Sequence, residues 1–361
     1  MNDAVIIGGG LCGLAAATRL EHMGVDWHLV EARGRIGGRM KSVTTPGGAA
    51  YDLGPAWVWP HQQRILALAE DLGLTLFEQF STGNLVYEDA TGHIRRDLNF
   101  APMAGALRID GGAEALARGL ASRLPESRLS LSSPVVSIHA EATGFRLAAK
   151  TTGDAPANFN AARILFALPP RLAVESIDLG PVVPADARQV LRAIPTWMAG
   201  HAKVLAVYDS PFWREANLSG NAMSQQGPLM EIHDASPASG STEGALFGFV
   251  HPSLVAQNPP RKTLESAALG QLTDLFGPRA ATPTAVHIKS WFDTPFTATG
   301  LDAGASPHPT GGIPTAISAL DGLGLVFAGS ELAEEEAGLI EGALHAAEQA
   351  VIRLNLRRQK V

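Results

Sequence analysis

The chain has 361 residues, 46% hydrophobic and 17% charged, which fits a globular protein with ample core and room for two domains. Its 28 basic and 35 acidic residues give a net charge of −7 with no Lys/Arg run, so nucleic acid is not an expected partner. One cysteine, Cys12, excludes an internal disulfide and a multi-cysteine zinc site, and suits a reducing, cytoplasmic compartment.

The start, "MNDAVIIGGG", has no basic segment followed by a long apolar one, so no secretory signal is expected. No apolar run approaches the roughly 20 residues of a membrane-spanning helix. "AVIIG" (4–8) reads as a buried strand, "GGGLCG" (8–13) as a glycine turn, "LAAATRLEHMG" (14–24) as a helix stopped by Gly24, and "VDWHLVE" (25–31) as a second strand. That order predicts a parallel pair with a right-handed crossover. A helix follows at 61–72, then irregular chain with strand pieces over 76–100, a helix at 111–124, and strands near 129–138 and 144–151. "ARILFALPP" (162–170) reads as a buried strand ended by two prolines. Strand patterns broken by loops fill 195–250, an amphipathic helix 261–277, and a strand 285–292. Residues 293–315 read as a loop, 324–329 as a late buried strand, and 338–356 as a closing helix. The basic end, "VIRLNLRRQKV", reads as a surface helix.

Gly8, Gly10 and Gly13 spell G-x-G-x-x-G between a strand and a helix. The first permits a sharp turn, the second lets a pyrophosphate approach the backbone, and the third lets the helix pack on the strands. The helix start offers N–H groups and partial positive charge to phosphates. Glu31, ending the second strand, is placed to accept hydrogen bonds from a ribose. A second glycine pair, Gly37 and Gly38, lies among Arg33, Arg35 and Arg39. Such a cationic loop suits a larger, permanently held dinucleotide.

"GHAKVLAVYD" (200–209) reads as a strand that is apolar on both faces except for Lys203. That lysine either guards a sheet edge or points at something inside.

"LVEARGRIGGRM" (29–40) followed by "YDLGPAWVWPHQQRI" (51–65) resembles the flavin-containing amine oxidoreductases, the family of the monoamine and polyamine oxidases. "ALPPRLAVESIDLGPVVP" (167–184), "HAKVLAVYDSPFWR" (201–214), "KSWFDTPF" (289–296) and "GLVFAGSELAEEEAGLIEGALHAAEQA" (324–350) extend the resemblance to nearly the whole chain. It implies an α/β fold: a Rossmann-like FAD-binding domain with a second, smaller α+β substrate domain built on a mixed sheet. The first would take residues 1–76, 104–192 and 293–361, the second 77–103 and 193–292. The resemblance implies that Gly8, Gly10, Leu11, Cys12, Gly13 and Gly38 line the pyrophosphate, and that Glu31, Ala32 and Arg33 lie at the adenosine ribose. Arg39 would meet the phosphates, and Val135 the adenine. Gly54, Pro55, Ala56 and Trp57 would run beside the flavin. Gly329, Ser330 and Glu331 would reach the ribitol and phosphates, and Leu339, Ile340 and Ala343 the flavin. Lys203 matches the lysine that holds a water against flavin N5, and Trp291 a tryptophan near the ring.

Three departures narrow the expectation. The family's two aromatic rings around the substrate amine are missing: one position is Leu339, and the loop "TATGLDAGASPHPTGG" (297–312) holds no aromatic. Trp57 or Trp59 would have to replace them, and an apolar slot suits a bulky or neutral substrate carbon. The stretch 76–105 is short for the family. No cysteine precedes the final strand, so FAD is expected to be non-covalent.

The expected activity is that of an FAD-dependent amine oxidase with a small-molecule substrate and O₂, or another electron acceptor. The alternatives are a flavin dehydrogenase or desaturase acting on a C–C or C–O bond, and an FAD-binding redox sensor without turnover. No membrane contact is expected of the core, and a homodimer is a candidate assembly.

Overall fold

The computed structural model describes residues 1–150, 157–238 and 241–356. The first strand, Asn2–Ile7, lies between Trp27–Val30 and the C-terminal half of Ala157–Phe166, parallel to both. Leu129–Ser130 extends this sheet on one side and Leu325–Phe327 on the other, also in parallel. The strands are short apolar runs because both faces of the sheet are covered. Helices Leu11–His22, Glu114–Ser122 and Ile340–Arg353 cover one face through Leu14, Leu116, Leu344 and Ala347.

The other face is covered by an antiparallel meander of Val135–Glu141, Gly144–Ala149 and the N-terminal half of Ala157–Phe166. The last strand is therefore shared: residues 157–161 pair within the meander, and 161–166 with the parallel sheet. Ile138, Leu147 and Ala149 of the meander join one apolar cluster with Val5, Ile7, Val30 and Phe166.

The strand expected at 129–138 is two strands. Leu129–Ser130 ends the parallel sheet, and the chain turns at Ser132, whose φ is 52°. Ser132 and Ser133 donate to the carbonyls of Arg33 and Glu31 at 2.8 and 2.9 Å. Pro134, with no N–H, cannot continue the ladder, and Val135 begins the meander. The first helix begins at Leu11, ahead of the expected position 14, because the glycine turn ends at Gly10. Pro170 opens a helix, Pro170–Ser176, where its missing N–H is tolerated. The strand expected at 144–151 ends at Ala149, and residue 151 lies outside the described residues. The closing helix ends at Arg353, and 357–361 lie outside the described residues.

A second seven-stranded sheet runs in the order Ala285–Ser290, Ala202–Tyr208, Gly244–Val250, Leu229–Asp234, Leu218–Ser224, Asn84–Glu88, Ile94–Leu98. Leu218–Ser224 and Asn84–Glu88 are parallel and the other pairs antiparallel, so the sheet is mixed. The strand pieces expected within irregular chain over 76–100 are Leu76–Glu78 and the hairpin at the far edge of this sheet. Helix Arg261–Phe276 packs on one face through Leu264, Ala268, Leu272 and Leu275. The opposite face brings Leu205, Val207 and Phe247 against Tyr51 and Leu53.

Ala202–Tyr208 has a partner on each side, so Lys203 guards no edge. It is 3% exposed and points toward the first sheet's half of the molecule.

Two glycines give opposite expectations. A Cβ at Gly13 would stand 2.0 Å from the Gly8 carbonyl oxygen, whereas one at Gly270, inside an exposed helix, would meet nothing within 4 Å. Gly13→Ala is expected to lower the unfolding free energy by at least about 3 kcal/mol. Gly270→Ala is expected to raise it by about 0.5–1 kcal/mol. Urea midpoints of both variants check the pair.

Candidate active site

One cavity of about 590 Å³ lies where the C-terminal ends of the parallel strands face the second sheet. At one end is the glycine turn. The first helix carries no side-chain cap, so its starting N–H groups are offered toward the cavity wall formed by Gly10, Leu11 and Cys12. The cationic loop folds back on this turn. Gly37 N–H donates to the Gly9 carbonyl at 2.8 Å, and a Cβ on Gly38 would lie 3.2 Å from the Gly10 Cα. Both glycines are required by that approach, and both have positive φ.

Glu31 is 4% exposed, and its carboxylate accepts from the N–H groups of Gly9 at 2.6 Å and Arg33 at 2.8 Å. Those bonds fix its direction beside the turn. The Arg33 guanidinium donates to the carbonyls of Pro295 and Phe296, both at 2.7 Å, and to the Thr297 hydroxyl. Arg39 forms a two-pronged pair with Glu331 at 2.6 and 3.0 Å and donates to the Trp197 carbonyl at 2.9 Å. Burial pushes the Glu331 carboxyl up, but the Arg39 guanidinium outweighs it and holds the group below its ordinary range. Burial pushes the Cys12 thiol up to about 12, so it stays protonated.

At the other end lies Lys203. Its ammonium donates to the carbonyls of Gly54 at 2.7 Å and Asp52 at 3.2 Å. It also lies 4.0 Å from the centre of the Phe247 ring and 5.4 Å from that of Phe249. Burial lowers its pKa to about 7; nearby Asp52 opposes the fall and Arg108 adds to it. Trp291 donates its indole N–H to the Leu53 carbonyl at 3.2 Å. Trp57 donates to the Gln79 side chain at 3.0 Å and packs edge-on against His233.

The cavity wall contains Gly8, Gly10, Leu11, Cys12, Glu31, Ala32, Arg33, Gly38, Arg39, Gly54, Pro55, Ala56, Trp57 and Val135. It also contains Lys203, Trp291, Gly329, Ser330, Glu331, Leu339, Ile340 and Ala343. Two residues singled out in the sequence are not in the wall: Gly13, which faces the Gly8 carbonyl, and Arg35, which donates to the carbonyls of Ile36 and Gly38 in its own loop. Trp59 lines the cavity as well.

Sequence reasoning missed Trp197, Met198, Phe249, Phe296 and the lining role of His201. Phe249 lies opposite Lys203 across the strand pair. Its alternation with Phe247 signalled a shared face, but no local signal fixed that register. His201 Nδ1 is buried without a partner.

The wall suits an extended dinucleotide. Glycines leave backbone exposed, an uncapped helix start offers N–H donors, and the Glu31 carboxylate beside them is held in a fixed direction. An apolar chamber with one ammonium lies at the far end. The volume is in the range of cofactor and ligand sites. Among the described residues no group of acidic, histidine or cysteine side chains is arranged to hold a metal ion, and no helix is long and apolar enough to cross a membrane.

The family model for flavin containing amine oxidoreductases matches residues 11–104 and 83–355. The chain is 24% identical over 443 positions to a protein named probable flavin-containing monoamine oxidase A of Dictyostelium discoideum, covering 95% of each. It is 25% identical over 454 positions to an L-amino acid dehydrogenase of a Synechocystis strain, covering 96% of this chain and 93% of the relative. Both alignments are longer than the 361 residues of this chain, so the relatives carry insertions that it lacks. A solved putrescine oxidase bound to putrescine superposes with a TM-score of 0.81 at 20% identity, covering 98% of this chain and 99% of that one.

Removing Arg39 would leave Glu331 buried without its cation. Arg39→Met is expected to destabilise the protein by roughly 3–5 kcal/mol, read as a lower urea midpoint, with Arg39→Lys recovering part of the loss.

Proposed function

The chain belongs to the flavin containing amine oxidoreductases, and from that premise we propose that it oxidises an amine at the carbon next to nitrogen, with O₂ reduced to H₂O₂. It is an FAD-dependent, amine oxidase-like oxidoreductase with the fold of that family. The imine product would be hydrolysed by water. FAD, when bound, supplies the two-electron acceptor for the substrate hydride.

The observation that carries this reading is the single cavity whose wall includes both the glycine turn with Glu31 and the Lys203–Trp291 pair from the second sheet. In this reading Glu31 accepts from the ribose, and the helix start at Leu11 and Cys12 faces the pyrophosphate. The Arg39–Glu331 pair and Ser330 hold the wall beside them, and Val135 lies at the adenine. Gly54, Pro55, Ala56 and Trp57 run alongside the ring, with Leu339, Ile340 and Ala343 at the start of the closing helix. In this reading binding is non-covalent, since no cysteine precedes the final strand, where the covalent members of the family attach the flavin. Below about pH 7 Lys203 would hold a proton, and with it a positive charge, beside the reacting atoms. The carboxylates lining the cavity among the described residues are Glu31 and Glu331, and both are engaged with donors. No general base is therefore assigned, which suits hydride loss from a neutral amine. A dehydrogenase using another acceptor is the second reading, favoured by the match to the L-amino acid dehydrogenase.

Anaerobic mixing of the yellow holoprotein with a panel of amines is expected to bleach the flavin band, and admitting air to release H₂O₂. Bleaching without peroxide would select the dehydrogenase; no bleaching by any amine would sink the amine reading. Lys203 is charged below about pH 7 and neutral above it, so any step helped by its cation weakens as pH rises through that value. Reoxidation by O₂ is therefore expected to slow across neutral pH. Lys203→Met is expected to reoxidise about a hundredfold more slowly with a flat profile, measured by stopped-flow absorbance.

A further inference from the structure

We propose that Trp197 is the wall that selects the substrate, favouring an amine with a large apolar ring over one with a second cationic end. The inference rests on the amine-oxidising reading above and specifies what that site accepts.

Trp197 lies in a turn held from several sides. Thr196 N–H donates to the Asp302 carboxylate at 3.0 Å and Trp197 N–H to the Glu331 carboxylate at 3.1 Å. The Trp197 carbonyl accepts from Arg39 at 2.9 Å. The next residue, Met198, is forced to a φ of 59°, a conformation that costs a side chain of its size energy. Close behind, a Cβ on Gly200 would come within 2.1 Å of the Gly304 carbonyl oxygen. A strained residue persists only where its surroundings over-determine it, and such strain gathers at functional walls. Here it turns both Trp197 and Met198 into the cavity wall.

The indole ring rests on bare backbone. A Cβ on Gly338 would lie 2.7 Å from the Trp197 Cδ1. The His308 ring meets the indole edge-on at 4.8 Å. Leu339, the residue after Gly338, caps the closing helix and lines the same cavity, so this part of the wall beside the indole is aliphatic.

Charge decides the other half. The lining carboxylates, Glu31 and Glu331, are already bonded to donors. A second ammonium in this cavity would share its wall with Lys203 and find no free acid among the described lining residues. An unpaired buried cation is costly, whereas a ring gains contact with the indole face.

The test compares 2-phenylethylamine with putrescine on the wild-type holoprotein, Trp197→Ala and Trp197→Phe. Wild type is expected to show kcat/KM at least a hundredfold higher for the ring amine. Trp197→Ala is expected to lose at least tenfold of that, carried by KM, and Trp197→Phe to keep most of it. The dissociation constant of 2-phenylethanol, read from its perturbation of the flavin absorption band, is expected to rise at least tenfold in Trp197→Ala and less than threefold in Trp197→Phe. That titration reads the wall even if no amine is oxidised, so failure of the oxidase reading and failure of this inference remain distinguishable. Equal binding by wild type and Trp197→Ala, or a wild-type preference for putrescine, would overturn the proposal.

Discussion

The two halves of the site meet at three consecutive carbonyls. Those of Asp52 and Gly54 accept from the Lys203 ammonium, and that of Leu53 from the Trp291 indole. Both donors belong to the second sheet or its edge, and the acceptors to the segment leading from the cationic loop. A buried ammonium is tolerable only when its protons are satisfied. Two carbonyls and the Phe247 face do this while leaving the group close to its neutral form. The same contacts set the distance between the sheets, so the depth of the chamber and the charge within it are consequences of one contact.

Much of the nucleotide end was legible because its chemistry is local. A strand, a turn needing Gly8, a helix and a carboxylate at the next strand end fall within about thirty residues of sequence. Lys203 was legible as an anomaly, a lone cation in an apolar strand. The rest depended on contacts far apart in sequence. Nothing near Trp197 indicates that Arg39 and Glu331 will hold its backbone, and in "RLSLSSPVVSI" (128–138) Pro134 marks a break without showing that Ser130 and Val135 part to different layers. In both cases the deciding partner lies outside any local window.

The arginines of the cationic loop do more than the sequence suggested. The resemblance to the family put Arg33 near a ribose and Arg39 at the phosphates. In the structure Arg33 holds the carbonyls of Pro295 and Phe296, and Arg39 that of Trp197. Phe296, like Met198, has a positive φ and lies in the cavity wall. One loop thus braces two strained turns that border the chamber, so the geometry at the nucleotide end and the shape of the chamber are mechanically joined.

Cys12 is the chain's one thiol, and it lies in the cavity wall with its proton held on by burial. Peroxide attacks thiolates, and its first product with a thiol is a sulfenic acid. Withholding the thiolate makes the residue a spectator, slow to react with peroxide or any other electrophile that enters the cavity.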